Sequence, residues 1–267
     1  MEDLPVWIPK IAVTLMGLAI GSFLNVCIVR LPRDQSIVTP RSRCPHCGTP
    51  IAWYHNIPLA SFLWLRGRCA SCRAPIGWRY PVVEALTAGL ALAVYDQFPT
   101  PLAWGLWFFL FVAPLIAMTF IDLEHQIIPD LLSLSGIPMG WGVQMALARP
   151  GHVGEALLTG VIGSVIGGGF LLIIGTLYEK LRKQEGLGGG DVKLAAMLGA
   201  FLGWKGVMVV LLISAGIGSV VGVAVVLVTR SNLRLAIPYG PFLAAAALIY
   251  LFWGEVLLDW YLGFFLR

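Results

Sequence analysis

Charge is what this sequence has least of: Asp, Glu, Lys and Arg make up 12% of its 267 residues, against 58% hydrophobic side chains. A soluble domain needs roughly a quarter of its residues charged to cover its surface, so that class is excluded. Low polarity likewise excludes disordered and collagenous chains, and five cysteines are too few for a secreted disulfide scaffold. The every-second-residue alternation of a membrane β-barrel strand is missing too, because the apolar runs are continuous. The opening Met1-Glu2-Asp3 lacks the basic region of a secretory signal, and no small-residue cleavage site follows the first apolar run. That run is expected to be a retained anchor.

What the chain has in quantity is apolar runs near the ~20 residues that cross a bilayer. Segments 7–29, 82–98, 102–121, 131–148, 156–177, 194–202, 206–228 and 235–253 predict an all-α polytopic membrane protein of about eight transmembrane helices. The sixth is the weak one. At about 1.5 Å per residue it cannot cross roughly 30 Å of hydrocarbon, so it either borrows residues 191–193 and 203–205 from its flanks or spans only part of the membrane. A tail at 256–266 is expected to lie along the interface or to extend the last helix.

Arg30, Arg33, Arg41, Arg43, Arg66, Arg68, Arg73 and Arg79 lie in or at the edge of the first loop against a single acid, Asp34. This marks the loop as cytoplasmic. Eight crossings then place Lys180, Arg182, Lys183, Lys193, Arg230 and Arg234 on the same side and Lys10, Arg149, Lys205 and Arg267 on the other, with both termini outside. The net charge of +4 is accounted for by this sorting and by attraction to anionic membrane lipid, and implies no nucleic acid partner.

The first loop contains a repeat: Cys44-Pro45-His46-Cys47-Gly48-Thr49-Pro50-Ile51 returns 25 residues later as Cys69-Ala70-Ser71-Cys72-Arg73-Ala74-Pro75-Ile76. Two C-x2-C knuckles can jointly supply the four thiolates of a tetrahedral zinc site, and four sulfurs leave no open position, so the zinc is structural. Two disulfides, or one pair with spare thiols, are the alternative, disfavoured in a reducing cytoplasm. Ile51 and Ile76 are available for a small shared core. His46 and His55 are read as solvated and Cys27 as an apolar packer in the first span. The domains expected are the first transmembrane helix at 1–30, a cytoplasmic zinc-knuckle domain at 31–80 and a transmembrane core at 81–267.

Acids adjoining spans on the cytoplasmic side are Glu84, Asp122, Glu124, Asp130, Glu179, Glu185 and Asp191. Two stand in unusual settings: Asp122 ends the third span, and Asp191 follows the run Gly186-Leu187-Gly188-Gly189-Gly190. Ionisable groups at such depth are costly and point to function. Taken alone, Asp122 reads equally as a span-end acid, Asp191 as a helix cap and Asp130, after Pro129, as a cap. Glu124 and His125 read as a solvated helix end or as groups orienting the two acids.

In this order the motifs are specific. Gly21-Ser22-Phe23-Leu24-Asn25-Val26 with Arg30-Leu31-Pro32, the paired knuckles, Ile121-Asp122-Leu123-Glu124-His125-Gln126 with Ile128-Pro129-Asp130, and Gly188-Gly189-Gly190-Asp191-Val192-Lys193 together make the sequence resemble bacterial type IV prepilin peptidases, membrane aspartic proteases of the GxGD group. It departs from the commonest form only by a Gly at the variable position and by Cys27. The resemblance implies that Asp122 and Asp191 are the catalytic pair, with Gly188, Gly190, Lys193, Glu124, His125 and Asp130 in support. Two close carboxylates cannot both ionise cheaply, so one keeps its proton while the other takes a proton from water. The glycines before Asp191 offer positive-φ freedom and remove bulk where a substrate strand approaches.

The resemblance further implies an inner-membrane enzyme that removes the basic leader of prepilins or type II secretion pseudopilins at the cytoplasmic face and then N-methylates the new terminus with S-adenosylmethionine. No residue pattern reveals where the methyl donor binds: the run 186–190 is not a dinucleotide fingerprint, having no strand before it. A proton-coupled transporter would show repeated halves with broken helices, which this chain does not. A non-enzymatic assembly platform carrying a zinc loop is the remaining alternative. Which substrates are cut and whether the chain self-associates are not encoded in these patterns.

Overall fold

The computed structural model describes residues 5, 7–183, 188–229 and 237–265, with backbone alone at 260–262 and 264–265. The acidic start, Glu185, Gly186, Leu187, Arg230, Arg234, the first residue of the last apolar segment (Leu235), Leu266 and Arg267 lie outside the described residues. The helices are α1 (Trp7–Arg30), a short α2 (Ala60–Trp64), α3 (Arg79–Gln97), α4 (Pro101–Trp107), α5 (Ala113–His125), α6 (Asp130–Leu147), α7 (Val153–Arg182), α8 (Gly189–Thr229) and α9 (Gly240–Phe265). A five-residue π-helical turn, Phe108–Val112, joins α4 to α5. Among the described residues there is no β-sheet, and five helical stretches are long and apolar enough to cross a membrane. The chain packs as two compact units, 1–117 and 118–267.

In the first unit α1 lies against α3 through glycine. A Cβ on Gly17 would come within 2.7 Å of Ala88 Cα, and one on Gly21 within 2.7 Å of Glu84 Cα. One turn on, the Asn25 amide donates to the carbonyls of Gly21 and Tyr80 at 3.3 and 3.1 Å. At the far end Lys10 pairs with Asp96 at 2.7 Å. Rising numbers on α1 meet falling numbers on α3, so the two helices are antiparallel. Lipid supplies no hydrophobic drive between helices, and small residues four apart allow the close backbone contact that replaces it. Thr100 caps α4 by accepting from the Ala103 N–H at 3.3 Å, and the Trp104 indole donates to the Ala91 carbonyl at 3.0 Å.

The second unit explains the weak sixth segment. α8 is two helices joined at Gly203, whose φ of 71° and ψ of 178° no helix accepts. On α7, a Cβ at Gly167 would strike the carbonyl of Ala195 on the first arm (189–202) and lie 2.8 Å from Val207 on the second (204–229). In a straight helix residues 195 and 207 would be about 18 Å apart. The chain therefore doubles back at Gly203, and the sixth and seventh apolar segments are its two arms.

The first arm is enclosed. Leu194, Ala195, Met197, Leu198, Ala200 and Phe201 are each at most 1% exposed. Helix α6 reaches it through Gly136, against Met197, and Gly140, against Ala200, while a Cβ on Gly199 would overlap the Gly163 carbonyl of α7. A helix apolar on every side is stable only when buried all round, which is how a segment too short for the bilayer is held. With α8 counted as two, the long helices match the eight apolar segments read from the sequence.

Candidate active site and metal centre

The last turn of α5 buries Ile121 (0% exposed) and Asp122 (5%) while Glu124 and His125 face outward. The helix stops at Gln126, which takes a left-handed φ of 55° and donates its N–H to the Asp122 carbonyl at 2.9 Å. This reversal folds Ile128 back into the unit. A Cβ on Gly190 would come within 3.0 Å of Ile128, and one on Gly240, the first residue of α9, within 3.2 Å of Ile128 and 2.6 Å of Asp122 Oδ2. The Gly240 N–H donates to Asp122 Oδ2 at 3.0 Å. Asp191 follows Gly190 directly, is half-buried, and is close enough to Asp122 to interact with it electrostatically. Two acids 69 positions apart in sequence are thus brought together by an isoleucine wedge and two glycines.

The glycines before Asp191 act differently from expectation. None of Gly188, Gly189 and Gly190 has a positive φ; the described glycines that do are Gly48, Gly67, Gly151 and Gly203. Their contribution is space. A Cβ at Gly188 would sit 3.3 Å from Asp191 Oδ2, one at Gly190 would press on Ile128, and Gly189 faces open space. The Asp191 N–H donates to the Gly188 carbonyl at 3.1 Å. Asp130 lies in the first turn of α6, where Pro129 is the capping residue, and its carboxylate pairs with Lys193 at 2.6 Å. This exposed latch ties the start of α6 to the start of α8, so two residues named as support for the acids meet each other.

Sequence reasoning missed Tyr239 and Gly240. The Tyr239 hydroxyl shares a 2.7 Å hydrogen bond with Ser214, itself fully buried, and Tyr239 also interacts electrostatically with Asp191. The signal was Pro238-Tyr239-Gly240-Pro241, rigid residues around a glycine at a span entrance. Gly240→Ala should push the Asp122 carboxylate off its N–H donor and lower any reaction at the pair on the order of 10²-fold, the effect of a ~1 Å misplacement. Activity retained within threefold in this variant would show that Gly240 does not position Asp122.

The knuckles are copies in backbone as well as sequence. Cys44 N–H bonds to Thr49 O and Cys69 N–H to Ala74 O; Gly48 and Arg73 both take left-handed φ; isolated bridges join Arg43 to Pro50 and Arg68 to Pro75. The sulfurs of Cys44, Cys47, Cys69 and Cys72 all lie within 4.8 Å of one another, with Cys44 and Cys72 at 3.8 Å. A tetrahedral site with Zn–S bonds of ~2.3 Å requires sulfurs about 3.8 Å apart, so four thiolates here fit a metal of that size. The Thr49 hydroxyl draws the Cys47 thiol down to about 6, and backbone hydrogen bonds at Cys72 and Ser71 lower Cys69. At Cys72 a backbone bond from Ala74 pulls downward, but desolvation and the neighbouring sulfurs outweigh it and push the thiol up to about 11. Cys27 is buried in α1, as expected of an apolar packer. Ile51 corrects a smaller expectation: at 37% exposed it fills no shared core.

The bacterial peptidase A24 N-terminal domain matches residues 15–98, and the type IV leader peptidase family matches residues 102–223. A prepilin leader peptidase/N-methyltransferase of Aeromonas hydrophila is 40% identical, with the alignment covering 97% of this chain and 96% of that relative. Proteins of the same name from Legionella pneumophila and Pseudomonas aeruginosa are 34% and 36% identical, over 97% and 94% of this chain and 96% and 92% of theirs. No solved structure matches the chain.

Proposed function

The chain belongs to the type IV leader peptidase family, and from that premise we propose that it cuts the basic leader from type IV prepilins or type II secretion pseudopilins at the cytoplasmic face of the bacterial inner membrane. Asp122 and Asp191 are the catalytic pair. One carboxyl holds a proton while the other accepts one from water; the water oxygen attacks the scissile carbonyl, and the held proton passes to the leaving nitrogen. Gly240 fixes one oxygen of Asp122, and Ile128 closes the apolar side of the pair. The observation that carries this reading is the meeting of a buried Asp122 with Asp191 beside a wedge where a Cβ at 190 would crowd Ile128 and one at 240 would displace the Asp122 carboxylate.

The second activity is N-methylation of the new terminus with S-adenosylmethionine. Residues 31–80 form a cytoplasmic module, and Cys44, Cys47, Cys69 and Cys72 hold a structural zinc within it. The test is incubation of the purified chain with a prepilin in detergent, with intact mass as readout. A mass loss equal to the leader, followed by one methyl gain when the donor is added, is the expected result. An unchanged prepilin would leave a transporter or an assembly platform as the better account.

A further inference from the structure

In the first unit a cavity of about 260 Å³ lies between the knuckles and the adjoining ends of α1 and α3. Cys44 and Ser71 stand in its wall from the two knuckles, Phe62 from α2, and Ser22, Asn25 and Glu84 from the long helices. The wall's polar groups are of both kinds: Arg30, Arg43, His46 and His55 line it as well as the acceptors Ser22 and Glu84. Glu84 is 7% exposed, its Oε2 accepts the Leu59 N–H at 2.8 Å, and Ser22 bonds to the same carboxylate. Among the described residues no Lys, Arg or His forms an ion pair with it. Arg30, also in the wall, is engaged by the carbonyls of Ser36 and Pro40 at 2.8 and 2.6 Å.

Asn25 is 3% exposed, and its Oδ1 has no hydrogen-bond partner. The amide orientation is settled, because Nδ2 faces two carbonyl oxygens, Gly21 and Tyr80, and a flip would set oxygen against oxygen. The Asn25 oxygen is sealed even from water, so no ligand in the cavity reaches it. A buried carboxylate without a counter-ion is costly, and a cation seated among apolar groups relieves that cost.

We infer that this cavity is the site of the methyl donor, a sulfonium carried on a nucleoside, with Glu84 facing the positive sulfur, the basic groups of the wall open to the donor's carboxylate and the apolar wall taking the nucleoside. The inference rests on the methyltransferase reading above. A cavity of this volume lies just below the ~300 Å³ at which ligand pockets begin, so a nucleoside sulfonium fills it. In the transfer, the lone pair of the neutral terminal amine forms a C–N bond to the methyl carbon as the S–C bond breaks. The sulfur leaves as a neutral thioether and the new ammonium gives its proton to solvent. Loss of the sulfonium charge removes the attraction of Glu84, which favours release of the product.

The experiment measures binding of S-adenosylmethionine and of its neutral product, S-adenosylhomocysteine, to the full-length protein in detergent by equilibrium dialysis, alongside methylation of a pre-cleaved pilin. Glu84→Gln keeps an acceptor for the Leu59 N–H and removes only charge. It should weaken donor binding by about tenfold, the loss of one charge-assisted contact, while product binding changes less than about threefold. Ile51→Trp, at a half-exposed position in the same wall, fills the space and should weaken both ligands equally. Zinc content confirms that each variant keeps its loop. Unchanged donor binding in both variants overturns the site, as does a Glu84→Gln effect confined to the KM of the pilin, which would make this the amine's site. A wild-type chain that cleaves but neither binds the donor nor methylates overturns the methyltransferase reading itself.

Discussion

Asp122→Asn and Asp191→Asn should each reduce leader cleavage on the order of 10³-fold or more, because an amide keeps the carboxyl's shape and cannot pass the proton. Insertion and zinc content should stay at wild-type levels, since both aspartates belong to the second unit and the four cysteines to the first. Asp130→Asn supplies the comparison. It removes an exposed ion pair with Lys193, a contact worth ~0–1 kcal/mol, and should cost only a few-fold. Initial rates by intact mass decide the matter. Near-normal cleavage by either primary variant would strike that aspartate from the pair and move attention to Glu124 or Asp130.

Cys72→Ser should empty the metal site and dismantle the loop around it. Of residues 31–78, Cys44 is the one that is buried, so the segment has no apolar core to fall back on. Metal analysis should find about one zinc per wild-type chain, none in Cys72→Ser and the full complement in Cys27→Ser. Because both knuckles wall the cavity proposed for the donor, methylation should fall at least as steeply as cleavage. Asp191→Asn should do the reverse: given an already cleaved pilin and the donor, it still methylates, since aligning an amine with a sulfonium asks nothing of that carboxylate. Two oxidised cysteine pairs and no metal after reducing preparation would refute the first half. An Asp191→Asn protein inert toward cleaved pilin would refute the second.

The helices and the knuckles were legible because each is written in contiguous residues, and Asp122 and Asp191 stood out by their settings. Apolar runs announce spans, and a 25-residue repeat announces matched turns. Even the shortness of the sixth segment pointed to the right place, although a reversal at Gly203 cannot be distinguished from a partial span by counting residues. What stayed hidden depends on partners distant in sequence. Pro238-Tyr239-Gly240-Pro241 singles out the glycine but not its partner, an oxygen 118 positions away. Asp130 and Lys193 were each visible as charges near a span, but their union depends on how α6 docks on the first arm of α8. Asn25 and Glu84 stood in the sequence as a motif residue and a span-edge acid. Their shared cavity exists only because Gly17 and Gly21 let α1 and α3 touch.

The first arm of α8 also sets a depth. Its fourteen residues reach about 21 Å, whereas the hydrocarbon is roughly 30 Å thick. Trp204, 42% exposed, and Lys205, poised 5.5 Å over its ring, follow Gly203 and are the residue types that settle at a headgroup boundary. Measured from that boundary, Asp191 lies about 12 Å short of the opposite one. Under the proposed function water has to reach that level, either between the helices that enclose the arm or through a locally thinned bilayer. On that reading membrane thickness becomes part of the site's geometry, because a prepilin's leader junction would have to reach the same level.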